Sequence, residues 1–166
     1  MNRKLTLTVI IVLLIGTLGG AVGIPKAKAT TWNFHLWGNA SLGWGLSPSQ
    51  ITKPGPLIQV YQGDTVNLNL TSDDTFPHQF FVDYNDNAII GGSEPHSPQF
   101  SGSTSITYSF VADTLGNFTY RCAVHPTMMF GDFKVWTPIP EFPPFVFLPL
   151  FIALTLLAVV ILRRRH

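Results

Sequence analysis

The sequence predicts an all-β domain, a β-sandwich or barrel of about 100 residues that spans positions 30–137. Short segments of this region alternate apolar and polar residues, as strands do when one face is buried. Turn-forming Gly, Pro, Asn and Asp residues separate the segments, and no stretch shows sustained helical periodicity. The 166-residue chain has room for one such domain and flanking targeting segments.

Five segments show this alternation clearly. Their predicted inward-facing residues are Val66, Leu68 and Leu70; Phe80 and Val82; Ile106, Tyr108 and Phe110; Phe118, Tyr120 and Cys122; and Phe133 and Val135. An earlier segment, "WNFHLWGNASLGWG" at 32–45, is rich in Trp and Gly. It is predicted to be a first strand whose aromatic side chains cap one end of the core, with a functional aromatic patch as the alternative.

Several polar residues lie apart from these patterns. Asp83, Asp86 and Glu94 lie among turn signals and are predicted to be solvated loop residues. His35 and His96 have no neighbouring ligands in sequence, so each is predicted to be structural or solvent-exposed. The sequence contains no paired carboxylates, Ser-His-Asp pattern or phosphate-binding glycine loop, so these classes of enzyme are not predicted.

The charges are distributed unevenly along the chain. Four of the ten basic residues lie in the first 29 positions and three in the last four, which leaves three basic residues against nine acids in 30–141. An acidic domain is a poor partner for nucleic acid. It can still steer a basic protein partner towards its surface.

The N-terminal residues 1–29 are predicted to be a signal peptide. Arg3 and Lys4 precede an apolar run, and "AKA" at 27–29 fits the small-x-small cleavage pattern. An uncleaved N-terminal anchor is the alternative. Gly and Pro residues between positions 19 and 25 interrupt the apolar run before it is long enough to span a bilayer.

The C-terminal segment 145–162 is uncharged and of the length that a transmembrane helix needs. The basic residues of 163–166 predict a cytoplasmic tail, so the domain is expected at the outer face of the cell membrane. Residues 138–144 form a predicted proline-rich stalk. "PEFPPF" at 140–145 resembles the PEF-type sorting signals of archaeal surface proteins, in which case an enzyme would replace the tail with a lipid. Sequons at Asn39, Asn69 and Asn117 agree with an outside location.

A metal site is predicted around the single cysteine. Phe118, Tyr120 and Cys122 occupy alternate positions of one predicted strand, so their side chains should lie on the same face. Cys122 should therefore point into the domain at the end of that strand. His125 follows on a loop, and His78 begins another strand upstream. One thiolate, two imidazoles and a thioether suit copper, whereas zinc gains little from a thioether. The alternative is a small buried cysteine beside an unrelated surface histidine.

Three stretches give the chain a resemblance to the cupredoxins, the family of type 1 blue-copper proteins such as plastocyanin, azurin and amicyanin. They are "PGPLIQVYQGDTVNLNLT" (54–71), "PHQFFVD" (77–83) and "YRCAVHPTMMFGDFKV" (120–135). The resemblance implies an eight-stranded Greek-key β-sandwich with one type 1 copper at one end. By position it makes His78, Cys122 and His125 the equatorial copper ligands.

The resemblance leaves two candidates for the axial methionine. Met128 has the short spacing from His125 found in amicyanin, whereas Met129 precedes Gly131 as Met-x-Gly at the start of the last strand and shares its inward parity. We favour Met129. Many members of the family have Asn after the upstream histidine, and it ties the two ligand loops together by hydrogen bonds. This chain has Gln79 there, and hydrogen bonds around the ligands tune the reduction potential.

The resemblance implies one-electron transfer with redox proteins at the membrane surface, and no small-molecule substrate. An extracytoplasmic copper carrier or buffer that supplies a copper enzyme would use the same ligands, and the second methionine keeps that alternative open. Oxidases and nitrite reductases of this fold need a further copper site, usually built from His-x-His pairs. No such pair occurs in the sequence, so the chain is not expected to be an enzyme.

Overall fold

The computed structural model describes residues 27–139 and, near the C-terminus, residues 151–152, 154–155, 158–159 and 161–163. Lys28–Pro138 forms one compact unit. The described positions near the C-terminus are helical, and no helix among the described residues is long and apolar enough to cross a membrane. Most of the predicted signal peptide, stalk and basic tail, and part of the predicted transmembrane segment, lie outside the described residues.

Eight strands make up the compact unit, which confirms the all-β prediction. They are β1 (Thr31–Asn39), β2 (Gly43–Gly45), β3 (Gly55–Tyr61), β4 (Thr65–Ser72), β5 (Phe80–Asp83), β6 (Ile106–Val111), β7 (Gly116–Cys122) and β8 (Phe130–Trp136). They form two four-stranded sheets, in the orders β2-β1-β4-β6 and β3-β8-β7-β5. A 3-10 turn, Pro48–Gln50, lies between β2 and β3.

The connections give the sandwich a Greek-key character. Strands β1 and β4 pair in parallel, as do β3 and β8, and the other pairs are antiparallel. The chain changes sheet between β2 and β3 and at each connection up to β7, so strands adjacent in sequence mostly lie in different sheets. This crossing brings the ends of β5 and β7 side by side, and the candidate site lies there.

The core lies between the two sheets and follows the predicted alternation. Val66, Leu68 and Leu70 of β4 are fully buried, as predicted. The ring of Phe110 from β6 lies 5.8 Å from that of Phe133 in β8, so aromatic contacts join the sheets. Burying one such side chain stabilises a fold by about 1.5–3 kcal/mol.

The tryptophan-rich segment 32–45 forms two strands rather than the single predicted one. Gly43, at φ +111, lies where a Cβ would come 2.2 Å from the carbonyl oxygen of Thr52, so only glycine fits. The aromatic side chains divide between surface and core. Trp32 is 39% exposed, whereas Trp44 is fully buried, its ring 6.4 Å from that of His78.

Asp64 accepts hydrogen bonds from the start of β1, and the sequence did not predict this role. It is 2% exposed, and its carboxylate accepts hydrogen bonds from the Thr30 N–H, the Trp32 indole and the Tyr61 N–H at 2.8, 2.8 and 2.9 Å. Burial raises the pKa of Asp64, but these three donors together lower it below its ordinary value. The turn residue is therefore a buried anion that joins the first strand to the β3–β4 turn.

The prediction that Asp83 is a solvated loop residue is wrong. Asp83 lies in β5 at 1% exposure and accepts hydrogen bonds from the Arg121 Nε at 2.8 Å and from the N–H groups of Asn87 and Ala88. Asp86 is exposed, as predicted, and pairs with the same guanidinium. The Asp83 carboxylate can be buried because it accepts hydrogen bonds from loop N–H groups, which have no partner in a strand.

The same prediction is wrong for Glu94, which is 5% exposed and accepts hydrogen bonds from the N–H groups of Tyr84 and Gly91. His35 and His96, the two described histidines outside the predicted site, behave as expected. His35 contacts the Thr71 hydroxyl at 2.9 Å, and His96 is exposed.

Candidate metal centre

The structure brings three predicted ligands together at the end of the sandwich. One donor atom from each of His78, Cys122 and His125 lies within 4.8 Å of the other two. The Nδ1 atoms of both histidines are 3.8 Å from the Cys122 Sγ. Two metal bonds of about 2.0–2.3 Å, meeting at an open angle, span such a distance. The three donors could therefore hold one metal ion.

Strand pairing sets two of the ligands side by side. Cys122 is the last residue of β7 and pairs with Phe80, the first residue of β5. His78 lies two residues earlier and exchanges two backbone hydrogen bonds with Phe100, at 2.8 and 2.9 Å. Both side chains are 0% exposed. The thiol and the first imidazole are thus placed by a sheet rather than by a free loop.

His125 lies on a compact loop, as predicted. Its N–H donates to the Cys122 carbonyl, and its own carbonyl accepts from the N–H groups of Met128 and Met129. The Cys122 N–H donates to the Met129 carbonyl at 2.9 Å and closes the base of the loop. The loop is therefore held by its own backbone.

The sulfur of Cys122 receives a hydrogen bond from the next segment. The Gln79 N–H donates to Sγ at 3.4 Å, while the Ala123 N–H donates to the Gln79 carbonyl at 2.8 Å. The Gln79 side chain donates instead to the Ser97 carbonyl at 2.8 Å. The two ligand segments are thus joined by backbone hydrogen bonds in which the Gln79 side chain takes no part.

Burial raises the pKa of the Cys122 thiol, since the low-dielectric surroundings penalise its charged form. The thiol is then mostly protonated at neutral pH, and a metal ion would have to displace that proton. Burial also lowers the pKa of His78, although a hydrogen bond and the charge of Asp74 oppose that shift. A neutral imidazole is the form that binds a metal.

Asp74 is a site residue that the sequence analysis missed. Its Oδ1 lies 2.9 Å from the Nε2 of His78. Burial raises the pKa of Asp74, but hydrogen bonds from the Ala40 N–H, His78 and the Phe76 N–H together lower it. The only signal in the sequence is an aspartate four residues before a histidine, a spacing that means little outside a helix.

The two methionines occupy different surroundings. Met129 is fully buried in the core, and a Cβ added to Gly38 would come 2.9 Å from its Cε and 3.0 Å from the Trp44 ring. Met128 is half-buried, and its Sδ accepts a hydrogen bond from the Lys53 ammonium at 3.4 Å. Met129 therefore belongs to the core and Met128 to the partly exposed surface, and the choice of Met129 as the axial ligand stays a prediction.

Among the three described donor residues, His125 is the one that approaches solvent. His125 is half-buried, and its ring packs edge-on against Phe76, which is 56% exposed, at 6.2 Å between centroids. Val124 is also exposed nearby in sequence, at 38%. His78 and Cys122 have no exposed surface. The site therefore meets the outside through the His125 ring.

Comparisons with known proteins show the fold. No protein-family model and no curated protein sequence matches the chain. Among solved structures, auracyanin A, a "blue" copper protein from the green thermophilic photosynthetic bacterium Chloroflexus aurantiacus, matches with a TM-score of 0.52 and 16% identity over 63% of this chain and 98% of its own.

Two further matches are more distant. A blue copper oxidase from Nitrosomonas europaea shares 22% identity at a TM-score of 0.46, over 68% of this chain, which spans only 40% of the oxidase. A mutant of amicyanin shares 24% identity at a TM-score of 0.35, over 48% of this chain and 69% of its own. The match to auracyanin A shows that the chain has a cupredoxin-like fold.

Proposed function

We propose that this protein is a type 1 copper protein that carries single electrons between redox partners. The observation that carries the proposal is the group formed by His78, Cys122 and His125, whose donor atoms lie within 4.8 Å of one another at the end of a cupredoxin-like sandwich. His₂Cys with a weak thioether is the ligand set of blue-copper electron-transfer sites. A copper ion bound there would gain and lose one electron.

The surroundings of these residues support copper over zinc. A thioether adds little to a zinc site, yet Met129 is buried in the core next to the loop that bears His125. Sheet pairing and backbone hydrogen bonds hold Cys122 and His78 whether or not a metal is bound. A rigid ligand set changes little between two oxidation states, which favours fast electron exchange.

His125 is the contact through which we expect a redox partner to couple to the site. It is the one residue of the three with exposed surface, and the exposed side chain of Phe76 packs against its ring. Electron-transfer encounters between proteins use small, short-lived interfaces. The partners proposed are other redox proteins, and no small-molecule substrate or nucleic acid is part of the proposal.

Copper(II) added to the metal-free protein tests the proposal. We expect one equivalent to bind with an intense visible thiolate-to-copper absorption, and Cys122→Ser to abolish it. His96→Gln is the matched control, because His96 is exposed and lies outside the group of three donors. A colourless copper complex, or zinc binding in preference to copper, would contradict the proposal.

A copper carrier or buffer is the second candidate, and the partly exposed thioether of Met128 is the observation that favours it. Soft thioethers suit Cu(I), and one near the surface could receive a transferred ion. The full burial of His78 and Cys122 argues for retention instead. Transfer of bound Cu(I) to a chelator separates the two: release within seconds supports a carrier, whereas retention for hours supports electron transfer.

We further propose that the domain is held at the outer face of the cell membrane by segment 145–162 and that residues 1–29 are removed. Support comes from the hydropathy and charge of those segments. Cleavage after Ala29 would make the Thr30 nitrogen an ammonium group, and that nitrogen lies 2.8 Å from the Asp64 carboxylate. The mass of the mature protein tests whether residues 1–29 have been removed and whether segment 145–162 is retained.

A further inference from the structure

The carboxylate of Asp74 is held in one place by several donors from different segments. Its Oδ2 accepts a hydrogen bond from the Ala40 N–H at 2.7 Å, in the turn between β1 and β2. Its Oδ1 accepts from the Phe76 N–H at 3.0 Å and from the Ser72 hydroxyl at 3.2 Å. The same Oδ1 lies 2.9 Å from the Nε2 of His78. The side chain is only 17% exposed, so the negative charge is fixed and largely shielded from water.

This contact decides which nitrogen of His78 carries the proton. A carboxylate can only accept, so Nε2 must be the protonated nitrogen and Nδ1 must present a free lone pair. Nδ1 is the nitrogen that lies 3.8 Å from the Cys122 Sγ. His78 is 0% exposed, so water offers its ring no alternative partner. The rings of Trp44, Phe100 and His125 lie around it, with centroids at 6.4, 5.7 and 5.4 Å, and contact it as aromatic rings.

The second imidazole is held differently. Among the described residues, none hydrogen-bonds the Nε2 of His125, whose ring packs against Phe76 and is partly exposed. The two histidines of the site are therefore unequal. One is hydrogen-bonded to a half-buried carboxylate, and the other is partly exposed at the surface.

We propose that Asp74 is a positioning residue that presents Nδ1 of His78 to the metal and biases the site towards its more highly charged oxidation state. The first effect depends on the hydrogen bond, and the second on the negative charge beside the imidazole. A carboxylate behind a ligating imidazole raises the basicity of that ligand. A more basic ligand stabilises Cu(II) more than Cu(I), so Asp74 lowers the reduction potential. The redox part of this inference rests on the proposed function, whereas the tautomer does not.

Two substitutions separate the hydrogen bond from the charge. Asp74→Asn keeps an oxygen that can accept from Nε2 but removes the charge, and Asp74→Leu removes both. Asp73→Asn is the matched control, because Asp73 is exposed and, among the described residues, its side chain accepts a hydrogen bond from the Asn39 amide alone, at 3.4 Å. Each variant loses one negative charge from the same loop, so a general effect of net charge would appear in all three.

The first measurement is made on the metal-free protein, by ¹⁵N NMR of the histidine rings. We expect His78 to carry its proton on Nε2 in the wild type, in Asp74→Asn and in Asp73→Asn, and to lose that preference in Asp74→Leu. A wild-type His78 protonated on Nδ1, or a tautomer unchanged in Asp74→Leu, would overturn the positioning role whether or not copper binds.

The second measurement is the affinity for Cu(II) and Cu(I) and the reduction potential. Loss of such a partner typically weakens metal binding about 10- to 100-fold. We expect Asp74→Asn to weaken Cu(II) binding more than Cu(I) binding and to raise the potential, by about 59 mV for each tenfold difference. A shift equal to that of Asp73→Asn would overturn the redox role. Failure of the wild type to form a coloured copper complex would instead contradict the proposed function.

Ser72→Ala distinguishes a ligand effect from a loosened loop. The Ser72 hydroxyl contacts the backbone and carboxylate of Asp74 without touching His78. We expect Ser72→Ala to lower the melting temperature of the metal-free protein while leaving the potential near the wild-type value. If Ser72→Ala and Asp74→Asn raise the potential equally, loop order is responsible and the inference about Asp74 is wrong.

Discussion

The backbone N–H of Cys122 donates a hydrogen bond to the carbonyl oxygen of Met129 at 2.9 Å. Six residues separate them, including His125, and this bond closes the loop at the edge where β7 and β8 pair. The ligand segment is therefore closed by a bond that involves no donor atom of the metal site. Such closure favours a site that is already formed before a metal binds.

A preformed site predicts protection of the Cys122 amide in the metal-free protein. We expect it to exchange with deuterium about as slowly as amides in the core strands, because its hydrogen bond is buried. The amide of Thr127, an exposed residue of the same loop, is the internal control and should exchange fast. Equal, fast exchange at both positions, measured by NMR without metal, would mean that the loop closes only when metal binds.

Conservative substitutions of Met128 and Met129 should have unequal effects on the copper-loaded protein. Met129→Leu should alter the spectrum, electron paramagnetic resonance and potential of the copper-loaded protein, because Met129 is buried in the core. Met128→Leu should leave all three nearly unchanged, since its sulfur lies at the surface against Lys53. Both are volume-conserving changes that cost less than about 1.5 kcal/mol of stability. The reverse pattern would make Met128 the axial ligand.

A substitution at Gly38 should displace the Met129 side chain without changing Met129 itself. In Gly38→Ala the new Cβ would come 2.9 Å from the Met129 Cε, so that flexible side chain must move. We expect a shifted copper spectrum with the fold retained. Gly91→Ala is the matched control, because a Cβ there meets nothing within 4 Å. An unchanged spectrum in Gly38→Ala would show that the position of Met129 does not matter to the metal.

Asp64 should make part of the free energy of unfolding depend on pH. Its pKa is lowered in the folded protein, so its contribution is fully present above the unfolded value of about 3.9. That contribution is lost as the pH falls through the lowered, folded pKa. Asp64→Asn should cost about 1–3 kcal/mol at pH 7, because buried donors lose their charged acceptor.

Denaturant unfolding of the metal-free protein at pH 7 and pH 3 measures this effect. The difference between the wild type and Asp64→Asn should shrink at the lower pH, as the wild-type carboxyl begins to protonate. Asp113→Asn serves as the comparison, since Asp113 is exposed. A difference that stays constant between the two pH values would show that the charge of Asp64 contributes nothing.

Features encoded within a few residues could be predicted. The alternation of Val66, Leu68 and Leu70 predicted β4 and its buried face, and the parity of Cys122 predicted its inward position. The roles of Asp74 and Asp64 could not be predicted. Asp74 accepts a hydrogen bond from Ala40, 34 residues away, and Asp64 accepts one from Thr30 at the same separation. No local pattern identifies an acceptor whose donors lie in a distant segment of the chain.

By itself, then, the sequence determined the strand content of the domain and the chemical identity of the thiol and the two imidazoles, because periodicity and residue type are local properties. Only the tertiary structure decided how they meet. The pairing of β5 with β7 places His78 beside Cys122, and the closed loop turns His125 towards the same sulfur. The packing of Met129 against Gly38 and the hydrogen bond from His78 to Asp74 depend on contacts between distant segments, which exist only once both sheets have formed.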